Sequence, residues 1–125
     1  MGLINEKKIW SGIIKEIIMK SDSDKKQINP YILTLEFREI EKNAYQVIML
    51  TKKMGLKDNI TAEYATIYCN EDGIIKGCDI NGVIDGRIIG GNKKRKMEFF
   101  YRSFKNEGLI VSYFGELEED VEESF

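Results

Sequence analysis

The sequence predicts an all-β domain, an antiparallel up-and-down barrel of about eight strands. Three observations carry this reading. From residue 31 onward, short apolar runs alternate with turn signals. Several of these runs repeat with a period of two, the mark of a half-buried strand. The turn signals, Asn81-Gly82 among them, fall close enough together to join consecutive strands as hairpins. The alternative architecture is a seven-stranded curved sheet covered by an N-terminal helix.

The first segment, KIWSGIIKEIIMK (Lys8–Lys20), reads two ways. Trp10, Ile13, Ile14, Ile17 and Ile18 lie at helical spacing. The isoleucines and Ser11-Gly12 are poor helix formers, so the segment also reads as the strand that closes the barrel. A polar loop over 21–27 follows, then Pro30. YILTLEF (31–37) puts Tyr31, Leu33, Leu35 and Phe37 on one face. AYQVIMLTK (44–52) returns, and 54–60 reads as a connection with one helical turn. AEYATIYC (62–69) is rich in aromatic and β-branched residues. NEDG (70–73) is a turn with Gly73 in the left-handed region. IIKGCDI (74–80), VIDGRII (83–89), RKMEFFYRSFK (95–105) and LIVSYFGEL (109–117) complete the series.

Residues 72–91 hold six of the eleven glycines. They do not form a phosphate loop. No G-x-G-x-x-G is present, and Val83-Ile84 stand where a P-loop needs Lys and Ser or Thr. The sheet explains them better. Gly73, Gly82, Gly90 and Gly91 fall at turns. With Asn81-Gly82 as a two-residue loop of positive φ, Gly77 faces Gly86. Both then share a face with Ile75, Asp79, Ile84 and Ile88. Such a pair needs a filler: a large side chain such as Trp10 or Phe99, a ligand, or a close backbone.

At 125 residues and 42% apolar, the chain fits one domain with a real core. Six acids crowd the last ten residues, and without them the balance is +4. Residues 1–117 therefore read as the barrel and 118–125 as an acidic tail, solvated or folded back onto KKRK (93–96). Apolar runs are far too short for a membrane span, and MGLINEKKIW lacks a signal-peptide core. A cytoplasmic location is the default. Cys69 and Cys78 are read as free buried thiols, which fits a reducing compartment. The heavy use of Ile, Lys, Asn and Glu fits an AT-rich bacterial or phage gene.

Trp10-Ser11-Gly12, the 72–88 hairpin and Tyr113-Phe114-Gly115-Glu116-Leu117 together resemble the small calycin barrels, lipocalin-like and avidin-like proteins. Those begin with Trp-x-Gly and close on a strand ending Tyr-x-Gly-x-Leu. The helical stripe at Trp10 departs from that pattern. The resemblance implies an eight-stranded barrel that binds a small molecule or a protein. It carries over no ligand residue.

The chain contains no histidine, which removes the commonest general base and zinc ligand. No catalytic or metal set emerges and no cofactor is implied, although Glu, Asp, Tyr and Lys leave catalysis open. The leading function is non-catalytic binding of a small molecule inside the barrel. Tyr31, Tyr64, Tyr68, Tyr101 and Tyr113, with Gly77, Asp79 and Gly86, are the candidate ligand wall. The alternative is a protein-binding module or small inhibitor acting through its surface, with Phe100 and Arg102 as anchors. A homodimer built on an exposed strand fits either reading. KKRKMEFFYRSFK (93–105) combines basic and aromatic residues as single-strand binders do. Its alternation is also that of any sheet strand, so nucleic acid is the less favoured partner.

Overall fold

The computed structural model describes residues 4–5, 8–20, 25–55, 60–90, 95–104 and 108–121. The strands are β1 (Lys8–Lys20), β2 (Lys26–Glu41), β3 (Ala44–Lys53), β4 (Ile60–Cys69), β5 (Ile74–Asp79), β6 (Gly82–Ile89), β7 (Lys96–Ser103) and β8 (Leu109–Val121). Each pairs antiparallel with the next, and β8 pairs with β1, so the sheet is a closed barrel in sequence order. Closure removes the edges of the sheet. The homodimer expected through an exposed strand therefore has no edge to use among the described residues.

The first segment is a strand, not a helix. Its stripe at helical spacing splits between two faces: Trp10 and Ile14 are buried, whereas Ile13 is 58% exposed. Pairing with both β2 and β8 satisfies its backbone and outweighs the local helical pattern. β2 begins at Lys26, five residues before the expected start. Pro30 is tolerated because it lies where the ladder to β3 ends: its carbonyl accepts the Met54 N–H at 3.3 Å, just beyond the Tyr31–Lys53 pair. The connection expected over 54–60 lies mostly outside the described residues.

Gly73 is at φ 82°, as a left-handed turn residue should be. The next hairpin departs from expectation. Its loop residues are Ile80 and Asn81, and neither they nor Gly82 adopt positive φ. The side chain of Asp79 causes the difference. It accepts a hydrogen bond from the Asn81 N–H at 2.7 Å, an Asx-turn that closes the hairpin one residue early.

Gly77 consequently pairs with Ile84, and Gly86 with Ile75, so the two glycines do not oppose each other. Their shared inward face is as expected, because the shift preserves parity. What occupies their space is the adjacent strand: backbone at both, and at Gly77 also the Ile67 side chain, 2.5 Å from where a Cβ would stand. A Cβ on Gly77 would lie 2.6 Å from the Thr66 carbonyl oxygen, and one on Gly86 2.6 Å from that of Glu98. The glycines let adjacent strands close in where the barrel bends. Phe99 uses the room that remains: its cross-strand partners are Gly86 on one side and Gly115 on the other.

One half of the interior is filled. Leu35, Phe37, Val47, Ile67, Ile75 and Met97 meet around a void of only about 10 Å³, no more than a single water could use. Below them Trp10 is fully buried, with the Arg95 guanidinium 5.6 Å from its ring centroid. Glu119 holds Arg95 in an ion pair and also binds Lys8 at 3.1 Å. The boundary expected at Leu117 thus falls inside β8, which continues to Val121 and pairs with β1 on both sides of it, at Leu109–Gly115 and at Glu118–Val121. Residues 122–125 lie outside the described residues.

The cysteines are both free, but only Cys69 is buried. Cys78 faces outward and is exposed, because β5 turns Ile75, Gly77 and Asp79 inward.

Candidate functional site

Above Phe99 the packing opens. A cavity of about 210 Å³ occupies this end of the barrel. Its floor is apolar, formed by Ile14, Leu33, Met49 and Phe99. Its wall carries Tyr31, Tyr101 and Tyr113, with Thr51, Thr61 and Glu63, and Asn81 and Ser103 stand nearby. Strand parity places these groups. Tyr31 and Leu33 alternate on β2, Phe99 and Tyr101 on β7, and Val111 and Tyr113 on β8. The lower part of each strand fills the core while the upper part lines the cup.

The tyrosines form a cluster. The rings of Tyr31 and Tyr113 meet edge to face at 6.1 Å, and Tyr101 and Tyr113 lie 5.9 Å apart at 51°. Their hydroxyls donate to carboxylates set behind the wall. Tyr113 donates to Glu16, whose other oxygen accepts from the Asn29 amide at 3.0 Å. Tyr101 donates to Asp79 across 2.9–3.0 Å. Glu16 is the one buried charged residue among those described, only 7% exposed. Such a group is retained in an interior only when hydrogen-bonded.

This arrangement keeps the phenols protonated. Burial raises the pKa of Tyr101 above the ordinary tyrosine range, and the hydrogen bond and charge of Asp79 raise it further. Burial does the same for Tyr113, followed by the hydrogen bond and charge of Glu16. Tyr31 is pushed up by burial and then by the charge of Glu16. Glu63 adds to the effect on Tyr101 and Tyr113. The phenols are therefore hydrogen-bonding groups, not bases. Among the described residues no three His, Cys, Asp or Glu side chains are grouped to hold a metal.

Of the residues singled out in the sequence, Tyr31, Tyr101 and Tyr113 meet at the cavity, and Asp79 stands behind Tyr101. Gly77 and Gly86 face inward but do not line it. Tyr64 and Tyr68 are corrections: they are 62% and 57% exposed, on the outer face of β4. Ala65, Ile67 and Cys69 take the inner positions of that strand, where the filled core has no room for a phenol ring. Phe100 lies on the outer face, pairs across strands with Phe114 and shares a shallow groove with it. Arg102 is exposed on the same face of β7.

Sequence reasoning missed Glu16, Asn29, Thr51, Thr61, Glu63 and Ser103. Glu16 had a usable signal. Once β1 is a strand, Trp10, Gly12, Ile14 and Glu16 share one face, and a charge among apolar inward positions marks a polar site. Glu63 shares the parity of Ala65 and Ile67 in the same way.

No protein-family model matches the chain. No curated protein matches it either. Among solved structures, the chain is similar to an S-type phycobiliprotein lyase, CPES from Guillardia theta, at 7% identity and a TM-score of 0.49, over 94% of this chain and 88% of that one.

Proposed function

We propose that this chain is a non-catalytic binding protein that holds a small molecule in the tyrosine-lined end of its barrel. One observation carries the reading: a cavity of about 210 Å³ sits directly above a core that packs around a void of only about 10 Å³. A chain that packs half its interior so completely has residues able to fill the other half. It instead places phenols and carboxylates there, an apolar floor with a few polar anchors, as ligand sites are built.

Amide NMR spectra recorded against a library of small fragments test this. Binders should shift the amides of Tyr31, Thr51, Tyr101 and Tyr113. Val111→Trp, which fills the cup from β8, should abolish those shifts while the rest of the spectrum stays dispersed. Fragments that shift only residues around Phe100 and Phe114 would move the function to the outer face.

That outer face is the basis of a second reading, a protein-binding surface. Phe100 and Phe114 stand directly opposite each other and are 38% and 42% exposed. Exposed aromatic pairs with a nearby arginine are common anchors of protein interfaces. Loss of partner capture on Phe100→Ser, with fragment binding in the cup unchanged, would favour it.

A further inference from the structure

Resting on the cavity reading, we infer that the ligand is a small organic cation, an ammonium or guanidinium group on a short apolar body. Three features of the cup point to it. Among the described residues the lining contains no Lys or Arg, whereas Glu63 belongs to it and Glu16 and Asp79 stand immediately behind it. Among the described residues, the charged groups lining or backing the cup are therefore carboxylates, which disfavour an anion.

The second feature is the direction of the hydrogen bonds. A phenol has one proton and two lone pairs. Tyr101 and Tyr113 donate their protons to Asp79 and Glu16, so their oxygens offer the cavity lone pairs alone. Thr51 likewise directs its hydroxyl to the Thr61 carbonyl, at 3.5 Å. The wall is rich in acceptors, and the complement to acceptors is a donor such as N–H⁺.

The third feature is aromatic. Three phenol rings line the cup, with the Tyr113 centroid 6.1 Å from that of Tyr31 and 5.9 Å from that of Tyr101. Ring faces of this kind hold cations, best where water is excluded. The apolar floor of Ile14, Leu33, Met49 and Phe99 takes the rest of the molecule. The volume limits its size: about 210 Å³ corresponds to roughly seven liquid waters.

Three probes with one body and different charge test the inference: phenethylammonium, 3-phenyl-1-propanol and 3-phenylpropionate. Each is titrated into the full chain at neutral pH and followed by amide NMR. The ammonium should shift Tyr31, Thr51, Tyr101 and Tyr113, and bind at least about ten-fold more tightly than the other two. Glu63→Gln should weaken the ammonium about ten-fold and the alcohol hardly at all, with an unchanged spectrum away from the cup showing that the variant is folded. Tyr113→Phe provides an independent check, since it removes an acceptor and keeps the ring. Equal or tighter binding of the alcohol or carboxylate at the same residues would overturn the cation and leave the cavity reading standing. No shift at those residues with any of the three, at millimolar concentration, would overturn both.

Discussion

The phenol of Tyr101 reaches the carboxylate of Asp79 by passing over Gly82. Its hydroxyl stands 2.9 and 3.0 Å from the two carboxylate oxygens. A Cβ on Gly82 would lie 2.8 Å from both Cζ and Oη of that ring. Gly82 is needed for room, since its φ is not positive. Gly82→Ala should therefore cost about 1–3 kcal/mol through overpacking. Asparagine, which tolerates left-handed backbone, should do no better at this position. A stable Gly82→Asn beside an unstable Gly82→Ala, measured by chemical denaturation, would show that conformation decides here after all.

Gly86 makes the parallel case lower in the barrel. Its missing Cβ, which would stand 2.6 Å from the Glu98 carbonyl oxygen, lets that backbone close in beside its cross-strand partner Phe99. Gly86→Val should lower stability by more than about 1 kcal/mol. Phe99→Ala should cost about 3–5 kcal/mol, since it opens the cup toward the filled core. An unchanged melting temperature in Gly86→Val would refute the close approach of the two backbones.

Much of this architecture was legible in the sequence, for a physical reason. Strand parity is written residue by residue, so the inward face of β5 and β6 could be read even though the hairpin closes one residue early. The early closure was hidden because Asp79 caps its own turn, and the side-chain bond to the Asn81 N–H competes with the Asn81-Gly82 signal. β4 was ambiguous for another reason. AEYATIYC has apolar residues on both faces, so alternation alone could not say whether tyrosines or Ala65 and Ile67 turn inward. The glutamates of the cup were passed over because charge usually means surface. Glu16 becomes informative only after β1 is assigned as a strand, and that depends on pairing with β2 and β8 far along the chain.

Alkali should destabilise this fold through its tyrosines. The pKa values of Tyr101 and Tyr113 are raised in the folded chain above the unfolded value, which is about 10. The folded state thus holds protons that the unfolded state has released. Their contribution is fully present below about pH 10 and is lost as pH rises above it. Denaturation midpoints measured from neutral pH into alkali should fall over that window. In Tyr101→Phe/Tyr113→Phe the fall should be shallower, because the phenylalanines carry no proton to lose. An equally steep fall in the double variant would assign it to other groups.

The last residues of β8 give the remaining prediction. Burial pushes the Glu119 pKa up, but the hydrogen bonds and charges of Arg95 and Lys8 together hold it below the ordinary carboxylate value. Because the folded value is depressed, the stabilisation is present at neutral pH and is lost as pH falls through the acid range below the unfolded value. Glu119 also positions Arg95 over the buried Trp10 ring. Cutting the chain after Leu117 removes this carboxylate and the β1–β8 pairing at Lys8, Ile9, Trp10 and Ser11. That truncation should lower stability by about 1–3 kcal/mol, the usual worth of charge-assisted hydrogen bonds such as those Glu119 makes with Arg95 and Lys8. Cutting after Val121 should leave stability unchanged, since strand and ion pair are intact. Glu119→Gln in the full chain separates charge from pairing. It should reproduce part of the loss at neutral pH and none of it well below the carboxylate range, where Glu119 itself is protonated. Identical melting temperatures for the chains ending at Leu117 and Val121 would make everything after Leu117 a solvated tail.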